Sequence, residues 1–228
     1  VRINRLDTGL GADDVTAMAG RDIAGLVIPK VERPEEISAV LELLQTHRPA
    51  HRAPFRLISM IESPRGVLNC PLIADAGPMM EGLLFGSADF SALTRARLTA
   101  GEPELLVARS RMLYSARAAG IAAWDAPFFS IPDLDGLRAM SELARNLGYD
   151  GRAIIHPTHI DIVNEIFSPS AVEIEQARGV VAAMRDATAR GLAAVQYQGN
   201  LIEPLHARAA QRILDIAEIL SAPITEKP

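Results

Sequence analysis

The chain has 228 residues, 49% of them apolar and 22% charged, the balance of a folded globular protein and not of a disordered one. Its 23 Lys and Arg against 28 Asp and Glu leave a net charge of −5, which argues against a nucleic-acid binder with its basic face. No run approaches the ~20 apolar residues of a membrane helix, and one cysteine, Cys70, excludes an internal disulfide framework or a multi-cysteine metal cluster; the expectation is a soluble, cytoplasmic protein.

Short β-branched runs alternate with long amphipathic stretches, the pattern of repeated βα units around a parallel sheet. The first strand is Val1–Asn4; with no Met before it, the chain reads as one whose earlier elements are missing. Gly25–Pro29 is the second strand, and Glu32-Arg33-Pro34-Glu35-Glu36 opens a helix running to about Gln45, since Pro and acids suit a first helical turn. Strand Arg56–Glu62 leads into a Ser63-Pro64 helix start, and strand Gly82–Phe85 follows. Pro103-Glu104 begins a helix that reaches Ala119 and stops at Gly120, ahead of strand Ile121–Trp124. Asp133 caps a helix ending before Gly148, and Ala153–His156 is the last strand. Helices are predicted from Pro169 to about Arg190 and from Pro204 to about Leu220, joined by a flexible crossover at Gly191–Glu203.

Six strands in strict alternation fit an open doubly wound sheet or an incomplete barrel. No G-x-G-x-x-G follows the first strand, so a dinucleotide fold has no support. Arg2, Lys30, Glu62, Asp89, Asp125 and His156 all fall at or just past C-terminal strand ends, the rim that forms the active site of a barrel. The predicted fold is therefore α/β, a (β/α)₈ TIM barrel lacking its first one or two βα units, plus a C-terminal helical extension. Residues 1–167 make the barrel domain and residues 168–228 the extension.

Glu62 and Asp89 end neighbouring strands. Such a pair repels itself unless one acid is protonated or a cation lies between them, and Mg²⁺, which takes one or two carboxylates and keeps open positions, suits it. The competing reading is that both acids only cap the helices that follow. The Gly86-Ser87-Ala88 turn before Asp89 can aim backbone N–H groups at an anion. Arg2 either holds a carboxylate or an enolate oxygen or is an edge-strand arginine. Lys30 is a substrate contact, a Schiff-base nucleophile or the partner of a rim acid. His156 is a structural residue or a ligand contact. Cys70, next to Pro71 with no base nearby, is inert. His47, His51, His159 and His206 read as surface or cap residues, and the arginines of Leu93–Arg111 as a solvated loop and helix face or, for some of them, as contacts for the phosphate groups of a cofactor.

Val1-Arg2-Ile3-Asn4, Ile28-Pro29-Lys30-Val31, Ile61-Glu62-Ser63, Phe85-Gly86-Ser87-Ala88-Asp89, Gly151-Arg152-Ala153-Ile154-Ile155-His156-Pro157 and Val163-Asn164-Glu165-Ile166-Phe167-Ser168-Pro169 occur in order along the chain. Together they resemble the HpcH/HpaI aldolase superfamily, in its branch of citrate lyase β-subunits and malyl- and citramalyl-CoA lyases. The resemblance implies a TIM barrel with two strands upstream of Val1, Mg²⁺ on Glu62 and Asp89, and Arg2 as the substrate and enolate contact. It also implies that Gly86, Ala88 and Asp89 offer backbone N–H groups to a keto-acid carboxylate, with the His156-Pro157 turn beside the pantetheine arm of CoA. In those lyases a segment similar to Gly-x-Met-Ile-Asp-x-Pro brings a catalytic aspartate to a neighbouring subunit. The matching stretch here is Gln198-Gly199-Asn200-Leu201-Ile202-Glu203-Pro204; its acid is Glu203, one methylene longer, with the proline directly after it.

The activity implied is Mg²⁺-dependent carbon–carbon cleavage or formation of a hydroxy-dicarboxyl-type acyl-CoA thioester, giving acetyl-CoA or a similar acyl-CoA and a 2-oxo acid, in a homotrimer or hexamer. Alternatives are a CoA-independent 2-oxo-acid aldolase and a non-catalytic subunit of a lyase complex.

Overall fold

The structure, a computed structural model, describes residues 1–49 and 55–222; His51 lies outside them. The chain divides into two compact units, Val1–Val163 and Asn164–Pro228.

The first unit holds helix α1 (Leu10–Ala19), β1 (Gly25–Ile28), α2 (Pro34–His47), β2 (Arg56–Ile61), α3 (Pro64–Ala74), β3 (Met80–Phe85), α4 (Ser87–Thr94), α5 (Leu106–Ala119), β4 (Ala122–Asp125), α6 (Leu134–Leu147) and β5 (Gly151–Arg152). The division between the units falls inside α7 (Ile160–Phe167). All four strand pairings are parallel, in the order β1-β2-β3-β4-β5. That sequential order is the winding of a barrel wall; a doubly wound sheet reverses its strand order part-way. Val1–Asn4 extends the sheet at the β1 edge: Val27 N–H donates to Val1 O (2.8 Å) and Ile3 N–H to Val27 O (3.1 Å), a single parallel bridge at Arg2.

Leu26, Ile28, Leu57, Ile61, Leu83 and Phe85 form the buried centre of the sheet. The helix signals act as read: Asp133 Oδ1 accepts the Gly136 N–H at 2.9 Å to start α6, and α5 and α6 end at Gly120 and Gly148. The last strand does not lie where the apolar pattern put it. It is Gly151–Arg152; the Ala153 N–H still donates to Asp125 O (2.9 Å), and then the chain leaves the sheet. The β-branched pair Ile154 and Ile155, which suggested a strand, is exposed.

Three other expectations are corrected inside this unit. Asp125 does not face an open rim. It is 1% exposed and accepts from Arg109 Nε (2.9 Å) and Arg152 Nη2 (2.6 Å). Arg109, expected on a solvated face, is 2% exposed and also donates to Glu102 Oε2 at 2.6 Å. Arg152 donates further to Ala126 O and Met140 O, and the Tyr149 hydroxyl to Arg109 O. A buried charge is tolerated when its donors and acceptors are matched, and here two carboxylates answer two guanidinium groups. Arg111 is structural as well. Pro71 inside α3 has no N–H to offer Val67 O, one turn back, and Arg111 Nε supplies that donor at 2.8 Å. His159 is fully buried, with Nε2 3.3 Å from Ile131 O, and is no surface residue. Cys70 is buried, and burial pushes its thiol up to about 12, with Arg111 opposing; an inert thiol is the consequence.

The second unit packs α8 (Ala171–Ala189) on α9 (Pro204–Ser221) around Ala177, Val180, Met184, Ala187, Ile202 and Ala210. The stretch expected to be a flexible crossover is an antiparallel hairpin, β6 (Val195–Tyr197) and β7 (Asn200–Ile202). Gln198 (φ 46°) and Gly199 (φ 82°) make the two-residue turn with both φ positive that matches strand twist. The Tyr197 ring rests on α8, where a Cβ at Gly179 would lie 1.8 Å from the phenol oxygen. No helix among the described residues is long and apolar enough to cross a membrane.

Asp125→Ala leaves two buried guanidinium groups facing each other without their shared carboxylate. Urea unfolding should show a loss of roughly 3–5 kcal/mol; a loss below about 1 kcal/mol, the scale of an exposed pair, would contradict the network's role.

Candidate active site

The sheet delivers three chain segments to one place. At the end of β1 the Val31 N–H donates to Met60 O (3.1 Å), and at the end of β3 the Gly86 N–H donates to Ile61 O (3.0 Å). These bonds carry the ladder one step past the strands and fix Lys30 and Gly86 on either side of Glu62, the residue that follows β2.

Glu62 is 7% exposed. Its Oε2 accepts the Lys30 backbone N–H at 2.8 Å. Its other face rests on Gly86, where a Cβ would fall 2.4 Å from Glu62 Cγ and 2.7 Å from Oε1; only glycine leaves room for the carboxylate. Burial raises the Glu62 pKa above the ordinary carboxylate range; the Lys30 N–H bond opposes this, the Asp89 charge adds to it, and Lys30 and Arg2 pull it back. Asp89 sits in the first turn of α4 and binds Lys30 Nζ through Oδ1 at 2.7 Å. Lys30 itself has φ 52°, in the left-handed region, which is costly for a residue with a Cβ.

Glu62, Asp89, Lys30 and Gly86 are thus assembled as one cluster, and Arg2, exposed on the edge segment, acts on Glu62 through its charge. Of the readings for Lys30, the structure shows the ion pair with a rim acid. The Gly86 N–H is committed to the ladder, so the amides at the free start of α4 are those of Ser87, Ala88 and Asp89. Ser63 Oγ caps α3 by accepting the Gly66 N–H (3.0 Å) and donates to Glu32 Oε1 (2.5 Å), a link that sequence spacing did not suggest. His156 caps a short 3-10 helix, its Nδ1 2.8 Å from Thr158 Oγ1, with Pro157 next in the turn. It has no contact with the acid pair among the described residues. Glu203 belongs to the second unit, where it precedes α9 and its N–H donates to His206 Nδ1 at 3.0 Å.

Among the described residues no group of three or more His, Cys, Asp or Glu gathers as a metal cage. Two carboxylates suffice for Mg²⁺, which keeps several waters and shares its remaining positions with a substrate. The raised pKa of Glu62 is the condition a bound cation reverses, and the ammonium on Asp89 shows that a cation fits there. The donor set fits the ion.

A family model described as HpcH/HpaI aldolase/citrate lyase matches residues 1–157. The chain belongs to this family. A (3S)-malyl-CoA thioesterase of Cereibacter sphaeroides is 35% identical over 222 residues, 97% of this chain and 75% of that protein. The citrate lyase subunit beta of Leuconostoc mesenteroides subsp. cremoris is 32% identical over 220 residues, 95% of this chain and 73% of that one. Among solved structures, CitE of Mycobacterium tuberculosis in complex with magnesium, acetoacetate and coenzyme A superposes with a TM-score of 0.77 at 29% identity, covering 96% of this chain and 77% of that one. The α/β fold of this family member, with its parallel sheet and helical C-terminal region, is that of the citrate lyase β-subunits.

The seat of Glu62 predicts a coupling. Gly86→Ala should cost roughly 1–3 kcal/mol in urea unfolding, the scale of overpacking, and most of that cost should vanish in a Glu62→Ala background. Additive losses in the double variant would show that the added methyl meets something else.

Proposed function

We propose that the protein is a Mg²⁺-dependent carbon–carbon lyase, cleaving or forming a 3-hydroxyacyl-CoA thioester that bears a carboxylate on its hydroxyl carbon. The observation that carries this is the carboxylate pair on adjacent strand ends, Glu62 and Asp89, each tied to Lys30. Magnesium, acetoacetate and coenzyme A bound to the similar CitE, and the malyl-CoA in the name of a 35% identical relative, support the substrate class.

Mg²⁺ held by Glu62 and Asp89 would supply Lewis-acid polarisation and a template for the substrate's carboxylate and hydroxyl. The amides of Ala88 and Asp89, at the positive end of α4, would receive that carboxylate, with Gly86 shaping the turn beside them. In the cleavage direction a base takes the hydroxyl proton, the C–C bond breaks, and the 2-oxo acid leaves. The electron pair stays on the thioester enolate, whose charge the Arg2 guanidinium would offset. A proton returned to the α-carbon, for which Glu203 is the candidate donor, gives acetyl-CoA or a similar acyl-CoA. Glu203 would come from a neighbouring subunit of a homotrimer or hexamer, and His156 and Pro157 would line the pantetheine arm. The barrel domain would span residues 1–167 and the extension residues 168–228. A CoA-linked substrate and a single buried cysteine fit a cytoplasmic setting.

A second reading is favoured by one observation, the thioesterase name of the 35% identical relative: the same site would pass the thioester on to water. A panel of hydroxyacyl-CoA thioesters, with and without Mg²⁺, separates the two. The lyase reading expects 2-oxo acid release only with Mg²⁺, lost by roughly 100-fold or more in Glu62→Gln. It further expects an Arg2→Ala chain mixed with a Glu203→Gln chain to regain turnover that neither shows alone. Free thiol without 2-oxo acid would favour hydrolysis; no turnover of any thioester would contradict both.

A further inference from the structure

We propose that Lys30 is a tethered counter-cation that occupies Asp89 until a divalent ion displaces it, so that this side chain sets the threshold for metal binding. The inference rests on the metal reading above. Lys30 touches both acids, through its backbone N–H to Glu62 Oε2 at 2.8 Å and through Nζ to Asp89 Oδ1 at 2.7 Å. Lys30 makes the backbone bond at φ 52°, a conformation that glycine adopts without penalty. The lysine is therefore placed by its side chain, against the preference of its backbone.

Charge arithmetic assigns the side chain its task. Asp89, Lys30 and Arg2 each act on Glu62 through their charge, and two carboxylates with two cationic side chains balance without any metal. A divalent ion added to that set competes with the ammonium for the same Asp89 oxygen. The ammonium is free to yield. Its side chain is 41% exposed, Asp89 is its ion-pair partner among the described residues, and its stem borders a cleft of about 330 Å³ lined by Arg5, Asp7, Arg33 and Glu36. A lysine sealed in the core would have no such exit. Metal binding would then release one positive charge beside the site, where an anionic substrate can meet it.

Mn²⁺ titration followed by electron paramagnetic resonance, on substrate-free protein at constant ionic strength, reads this directly. Lys30→Gly keeps the left-handed backbone and the N–H to Glu62 while removing the ammonium; Lys30→Met removes the ammonium and keeps a side chain of similar length. Both variants should bind Mn²⁺ roughly threefold or more tightly than wild type, the scale of one unit charge a few ångströms away in a partly solvated site. Wild-type binding with neither variant tighter by that margin overturns the inference and leaves the metal reading standing. A wild-type protein that binds no Mn²⁺ overturns the metal reading, and the inference falls with it.

Discussion

A carboxylate buried at the end of a β-strand is the constraint around which the first unit is arranged. Taking Glu62 out of water disfavours its charged form, and three features offset that cost: the Lys30 N–H, the cationic side chains of Lys30 and Arg2, and the missing side chain at Gly86. They are supplied from the edge segment and from the ends of β1 and β3. The parallel sheet brings them together because its sequential order places the ends of the edge segment, β1, β2 and β3 side by side. Lys30 holds a left-handed backbone for the sake of these bonds, and strain of this kind persists where the surroundings over-determine it.

Two acids on the same sheet, one at the end of β2 and one at the end of β4, show how environment assigns roles. Glu62 ends β2 and keeps one cation within reach of solvent. Asp125 ends β4 and is closed off between Arg109 and Arg152, with Glu102 completing the charge balance. The second set serves as an internal strut, joining α5 and β5 to the sheet end. Its four charges are matched among themselves, so it offers nothing to a ligand. The first set pairs Asp89 with a lysine whose side chain is 41% exposed, and that access to solvent is the ground on which it, and not the buried network, is proposed as a site.

Much of this was legible in the sequence. Apolar runs ending in Glu62 and at Gly86 identify buried parallel strands and the rim where chemistry gathers, because strands covered on both faces read as continuous hydrophobic segments. Proline and acids at Pro34–Glu36, and Asp133 three residues before Gly136, mark helix starts through local hydrogen bonding alone. What stayed hidden depends on partners far along the chain. Arg109 on α5 looks like any other arginine of a charged helix until Asp125 and Glu102 are placed against it. Ile154 and Ile155 have strand propensity but no sheet to bury them. Gln198-Gly199 turns a hairpin without the Asn-Gly pair that usually advertises one, and the backbone of Lys30 is set by a carboxylate 32 residues away.

The central claim is that Glu62 and Asp89 form one divalent-cation site at the end of this sheet. Anomalous scattering from crystals soaked in Mn²⁺ tests it most directly. The account predicts a single peak at the rim within about 2.1–2.2 Å of one oxygen from each carboxylate, on the scale of hard-cation coordination, with Lys30 Nζ moved off Asp89. A peak on other residues, or none at this pair while Lys30 still holds Asp89, would contradict it.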